Sequence, residues 1–195
     1  MSQLMLFPLS STVLPGGRMK LRIFEPRYRR LVRDCCERDT SFGMCLVDKD
    51  TKTGETQLSH FGTMCRIIDF ELLDDGLLGI TVVGEQRFQI NHIEVESDGL
   101  RVADVELLQN WAPTPFSPQD KSLSQHLKRV YGEFPVIAEL YADCHFDDAT
   151  WVAQRWMEIL PLSKPLYEAL VSSGDCQNAV AFLRHTIEEP QQTPS

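Results

Sequence analysis

The run Leu21-Arg22-Ile23-Phe24-Glu25-Pro26-Arg27-Tyr28 contains the change of period that organises the rest of the chain. Before it, Lys20–Phe24 reads as a strand. After it, Tyr28, Leu31, Val32 and Cys35 recur at i, i+3, i+4 and i+7, the spacing of one buried helical stripe. Pro26 suits the first turn of that helix, where its missing N–H has no intrahelical partner to lose. Arg29, Arg30, Arg33 and Arg38 lie mostly off the stripe and are expected on a solvated face. Glu25 is placed to pair with Arg22 or Arg27 or to help cap the helix. Phe24 and Tyr28 are expected either to pack together across the junction or to line a groove.

Upstream, Leu4–Leu9 reads as another strand. Downstream, from Ser41 to Leu108, short strands alternate with turn signals. Asp74-Asp75-Gly76 is a tight turn leading into Leu77–Val83. Gly84-Glu85-Gln86 is predicted to turn the chain again, into Arg87–Val95. Phe88 and Ile90 share one face there, whereas Ile93 and Val95 have the opposite parity, so a bulge near Asn91-His92 is predicted to restore both pairs to the core. Ser97-Asp98-Gly99 then turns into Arg101–Leu108, with Ala103, Val105 and Leu107 inward. Six or seven strands with one early helix suggest a small barrel or strongly curled sheet.

Pro113, Pro115 and Pro118 mark a boundary, after which the pattern becomes helical. Ser117-Pro118 opens a helix with Leu123, Leu127, Val130 and Tyr131 on one face, and Pro135 interrupts it. Asp147 or Asp148 caps the next, which carries Val152, Trp156, Ile159 and Leu160. Ser163 and Pro165 open a third helix, ending near Gly174. Asp175 caps a fourth, with Val180, Leu183 and Ile187 inward. The expected organisation is α+β: a β-rich domain over residues 1–112, a helical bundle over 113–189 and a flexible tail over 190–195.

Composition narrows the function classes. The chain has 195 residues, 43% hydrophobic and 24% charged, which fits a globular protein with a real core. Its formal net charge is −9, although residues 1–40 carry eight basic side chains against four acidic ones. An acidic surface repels phosphate backbones and anionic membranes. Met1–Leu9 lacks a basic n-region and is broken by Pro8, so it does not read as a signal peptide. No run approaches the ~20 apolar residues of a membrane span. A cytoplasmic location is expected, and the six cysteines are then expected to be free thiols.

Catalytic and cofactor signatures do not emerge. Gly16-Gly17 lacks the rest of a phosphate-binding loop, and neither a G-x-S-x-G elbow nor an H-E-x-x-H or C-x-x-C pair occurs. Ser124 and Lys128 stand four apart on a predicted helix. Arg129 beside the lysine marks a polar face rather than the desolvated site a base would need. Cys45 and Cys65 are expected to be buried and inert. Asp74-Asp75 and Asp147-Asp148 have turn and capping roles. No cofactor or metal and no enzymatic activity are expected.

Several ordered motifs carry a resemblance. Leu6-Phe7-Pro8-Leu9, Val13-Leu14-Pro15-Gly16-Gly17 and Leu21–Tyr28 closely resemble the opening of the Lon protease N-terminal, substrate-binding domain. Phe42-Gly43, Phe61-Gly62-Thr63 and Gly84-Glu85-Gln86-Arg87-Phe88 fall where that family has its FG, GT and G-x-x-R-F elements. Trp151–Leu162 and Lys164-Pro165-Leu166 are similar in kind, with weaker motifs.

The resemblance implies a PUA-like β-barrel followed by a helical bundle. It looks like a freestanding member of the family, without the ATPase and Ser-Lys protease domains. The implied function is non-catalytic recognition of unfolded or flexible protein segments, alone or as the adaptor of a protease or chaperone machine. An RNA-binding PUA-like protein is the alternative, which the net charge disfavours. Phe24, Arg27 and Tyr28 are the candidate peptide-binding residues. Pro8, Gly17, Arg22, Glu25, Pro26, Gly43, Gly62, Gly84, Arg87 and Phe88 are expected to be structural.

Overall fold

The computed structural model describes residues 2–49, 54 and 56–188, so the expected tail at 190–195 lies outside the described residues. The strands are β1 (Ser2–Leu9), β2 (Arg18–Ile23), β3 (Phe42–Lys49), β4 (Thr56–Leu72), β5 (Leu78–Val95) and β6 (Arg101–Leu107). The helices are α1 (Pro26–Arg38), α2 (Lys121–Glu133), α3 (Pro135–Ala138), α4 (Ala149–Ile159), α5 (Lys164–Val171) and α6 (Gln177–Glu188). The fold is thus a mixed one, with a single six-stranded sheet and six helices among the described residues.

Two compact units divide the chain. Among the described residues, one runs to Asn110 and includes Leu162–Ser172; the other comprises Trp111–Pro161 and residues 173–188. In the first unit the sheet order is β2-β5-β4-β3-β1-β6, and β6 pairs with β5 as well as with β1. The pairings β1–β3–β4–β5–β6–β1 therefore form a closed circuit, with β2 attached, among the described residues, to β5 alone. Antiparallel ladders make every link except the parallel β1–β3 pair. The interior holds Leu6, Ile23, Leu31, Phe42, Ile80, Phe88 and Val105, all fully buried. At about 25 cal/mol per Å² of apolar surface, each such side chain contributes on the order of 2 kcal/mol.

The predicted bulge is present: the β5–β6 register shifts between Ile90 and His92. It brings Ile93 against the core cluster of Phe88 and Ile90, but Val95 remains 66% exposed because the strand has run beyond the core by then. Ala103 and Val105 are buried, whereas Leu107 is partly exposed.

The predicted turn at Gly84–Gln86 is absent, and β5 continues through it. Gly84 serves a close approach instead. Its N–H donates to Gly17 O (2.9 Å), and its carbonyl accepts from Gly16 N–H (2.8 Å). A Cβ at Gly84 would stand 2.3 Å from Leu14 O, so only glycine lets the two backbones meet.

α1 begins at Pro26 and buries Leu31, Val32 and Cys35 as the periodicity requires. Its basic face is solvated as expected, with Arg29, Arg33 and Arg38 exposed and only Arg30 half-buried. Arg30 pairs with Glu96 and Asp98 in the β5–β6 turn, and Arg33 pairs with the buried Asp34 (2.9 Å). The Arg30 guanidinium is held above its usual pKa, first by its hydrogen bond with Glu96.

α5 follows the 112/113 boundary in sequence, yet it packs within the first unit, burying Tyr167, Leu170 and Val171. It ends at Val171, short of Gly174. In the second unit Asp148 caps α4 by accepting the Thr150 N–H, and Asp175 accepts from Gln177 N–H. Tyr131, Tyr141, Phe146 and Trp151 form an aromatic cluster over the fully buried Arg155, which pairs with Glu158 (2.8 Å).

Candidate functional site

Glu25 has an extended backbone (φ −77°, ψ 136°) and breaks the direction of the chain between β2 and α1. Its carbonyl accepts the Tyr28 and Arg29 N–H groups, each at 3.1 Å, which starts the helix. Its side chain makes no capping bond; the carboxylate pairs with Arg27 (2.6 Å) instead. Arg22 pairs with Asp75.

That geometry separates the two aromatic residues of the junction. Tyr28 turns inward and packs on Phe7, with ring centroids 4.2 Å apart. Phe24 is left 63% exposed, so it is not a core partner of Tyr28. The physical reason is position: β2 ends at Ile23, which takes the inward site, and the next residue faces out.

Phe24, Arg27 and Tyr28 line one cleft of about 560 Å³, together with Phe7–Leu9, Met19–Arg22, Glu25, Val47, Thr56 and Arg101. The Arg27 guanidinium lies 4.8 Å from the Tyr28 ring centroid and donates to Gly99 O (3.1 Å). Burial raises the Tyr28 pKa, with the Arg27 charge opposing it. The described lining holds four cations, Lys20, Arg22, Arg27 and Arg101, and one carboxylate, Glu25. Aromatic faces beside cations suit apolar and acidic side chains of a polypeptide rather than proton transfer.

The residues expected to be structural fall into three places. Pro8, Arg22 and Glu25 line the cleft, with Pro26 at the start of α1 beside it. Gly43 and Gly62 make room for Phe88, and Gly17 bonds to Gly84. Arg87 is buried and donates to the carbonyls of Gln109 and Val171, so it ties β5 to the end of α5. Burial lowers its pKa.

Sequence reasoning missed Arg101 and the β1 contribution to the cleft, because these meet α1 through long-range strand pairing. It also missed a second, shallower cleft of about 480 Å³ lined by Phe70, Leu72, Leu78 and Arg29. Phe70 and Leu72, both exposed, lie near the end of β4, beyond the core. Cys45 and Cys65 are buried as expected, and burial pushes the Cys45 thiol pKa far up. Among the described residues no helix is long and apolar enough to cross a membrane.

A family model described as the ATP-dependent protease La (LON) substrate-binding domain matches residues 3–178. The fold is similar to the crystal structure of a Lon N-terminal domain protein from Xanthomonas campestris. That match has a TM-score of 0.74 and 32% identity, covering 95% of this chain and 98% of that one. The N-terminal domain of a Mycobacterium avium complex Lon protease shares the fold, with a TM-score of 0.63 at 13% identity, covering 94% and 97%. Protein cereblon of Danio rerio is 29% identical over 126 residues, 63% of this chain and 28% of the relative. Protein cereblon of Xenopus tropicalis is 32% identical over 133 residues, 63% of this chain and 29% of the relative. The chain thus spans less than a third of the length of these curated relatives.

Proposed function

Because the chain belongs to the Lon substrate-binding domain family, we propose that it is a non-catalytic module that captures unfolded or flexible protein segments in the cleft beside Phe24. The carrying observation is the exposed Phe24 at the rim of a cleft floored by Tyr28 and Phe7. An exposed aromatic ring over an apolar floor is a costly surface to leave in water, and it favours an apolar partner. Arg27 completes the candidate binding set. The frame is a PUA-like barrel over residues 1–112, a reading supported by the closed circuit of strand pairings, followed by a helical region over 113–189 from which α5 joins the unit of the sheet. Delivery to a protease or chaperone machine in the cytoplasm is the setting in which such a module would act.

RNA is a weaker partner for this surface. Arg27, Arg30 and Arg33 each already pair with a carboxylate, so phosphate neutralisation would first have to break those pairs. The test is fluorescence anisotropy of a labelled, reduced and alkylated unfolded protein, at low and physiological salt. Saturable binding that persists with salt is expected, weakened about tenfold by Phe24→Ala with an unchanged melting temperature. Binding only at low salt, or binding indifferent to Phe24→Ala, would overturn the assignment.

A further inference from the structure

Among the described residues, β2 has one strand partner, β5, on one side of it. Its other edge carries backbone N–H and C=O groups at alternate residues, and Met19–Arg22 of this strand line the cleft. A second strand edge faces the same cleft. β6 covers β1 through Leu6, and beyond it Phe7, Pro8 and Leu9 pair, among the described residues, with β3 alone. The cleft is therefore an open seam between two strands, one of which loses a donor to Pro8. The charge of the seam is also uneven. Lys20, Arg22 and Arg27 are each paired with a carboxylate, whereas Arg101, partly buried in the lining, has no ion-pair partner among the described residues.

Resting on the cleft as the capture site, we propose that its occupant is an extended client segment with an acidic side chain, bound by strand addition along Met19–Arg22, on the edge of β2 that no described strand covers. Main-chain hydrogen bonds to Met19–Arg22 supply affinity without demanding a particular sequence, which suits a receptor for many unfolded chains. Alternate side chains of the segment point into the seam, where an apolar one covers Tyr28 and Phe24 and an acidic one meets Arg101. Sequence preference is then set by two side chains, and the backbone does the rest.

The test uses a labelled peptide of about ten residues alternating valine and threonine, with a central phenylalanine and one aspartate. Two further versions carry N-methyl groups at odd or at even residues. Strand addition uses the N–H groups of one parity, so one methylated version should lose about tenfold or more while the other stays within about threefold. Amide exchange at Met19–Arg22 should slow on binding. Arg101→Glu should reverse the preference, favouring a peptide with lysine in place of aspartate. Equal loss or equal retention by the two methylated peptides, with unfolded protein still bound through Phe24, would overturn strand addition and leave the capture site standing. Failure of unfolded protein to bind at all would overturn both.

Discussion

The Phe88 ring occupies the space above Gly62: a Cβ on that glycine would lie 2.5 Å from Phe88 Cζ and 2.5 Å from Met44 O. Gly43 stands in the same relation, 2.7 Å from the ring. The two glycines on neighbouring strands thus form the socket for a fully buried phenylalanine inside the circuit of strands.

Gly62→Ala should therefore destabilise the protein by about 1–3 kcal/mol, because the carbonyl on one side cannot move as a side chain would. Phe88→Ala should cost about 3–5 kcal/mol through the cavity it leaves. Denaturant titration of the double variant should show less than the sum, since removing the ring relieves part of the alanine clash. Strict additivity would mean the ring and glycine do not share one socket.

The elements that could be read from the sequence are those coded locally. α1 follows from Pro26 and one 3.6-residue stripe, and the Ile90/His92 bulge follows from a parity change within a single strand. Gly84 differs from its expected turn because a glycine that admits a neighbouring backbone looks, in sequence, like one that turns. Phe24 and Tyr28 sit in one motif but have opposite fates, which depend on where β2 ends. Arg101 reaches the cleft through the pairing of β6 with β1 and β5, seventy or more residues from the motif it joins, and no local pattern carries that.

Arg87 should matter for stability rather than capture. It is 3% exposed and bonds to carbonyls at Gln109 and Val171. Arg87→Met removes charge-assisted bonds worth about 1.5–3 kcal/mol each while leaving those carbonyls buried. The melting temperature should fall, and the fluorescence of an introduced probe on α5 should report its loosening before global unfolding. An unchanged melting temperature would show that water replaces the guanidinium without cost.

Glu168 on α5 gives the fold an acid-sensitive link. Burial acts to raise its pKa, but the His60 N–H (2.7 Å), the Ser59 hydroxyl, the His60 ring and Lys164 outweigh it and hold the carboxyl below its ordinary value. A depressed folded pKa contributes stability above the unfolded value near ~4.3 and loses it as pH falls through the folded one. Glu168→Gln should thus be less stable than the parent at neutral pH, with the gap narrowing as the medium is acidified below about pH 4. A gap that is constant with pH would show that the carboxylate's charge plays no part.

Glu25 makes the sharpest separation between fold and capture. Its carboxylate caps nothing and pairs with Arg27 at the half-exposed rim of the cleft, so Glu25→Ala should cost less than about 1 kcal/mol of stability. The substitution also removes the one carboxylate among the described lining residues, while Lys20 and Arg22 keep their pairs with Glu71 and Asp75. It releases Arg27 to meet an incoming acidic side chain. Affinity for acidic unfolded segments should then rise by about threefold or more at low salt, and the gain should shrink as salt screens it. Anisotropy titrations of parent and variant at two ionic strengths measure this directly. A loss of affinity with intact melting would instead place Glu25 among the groups that contact the client.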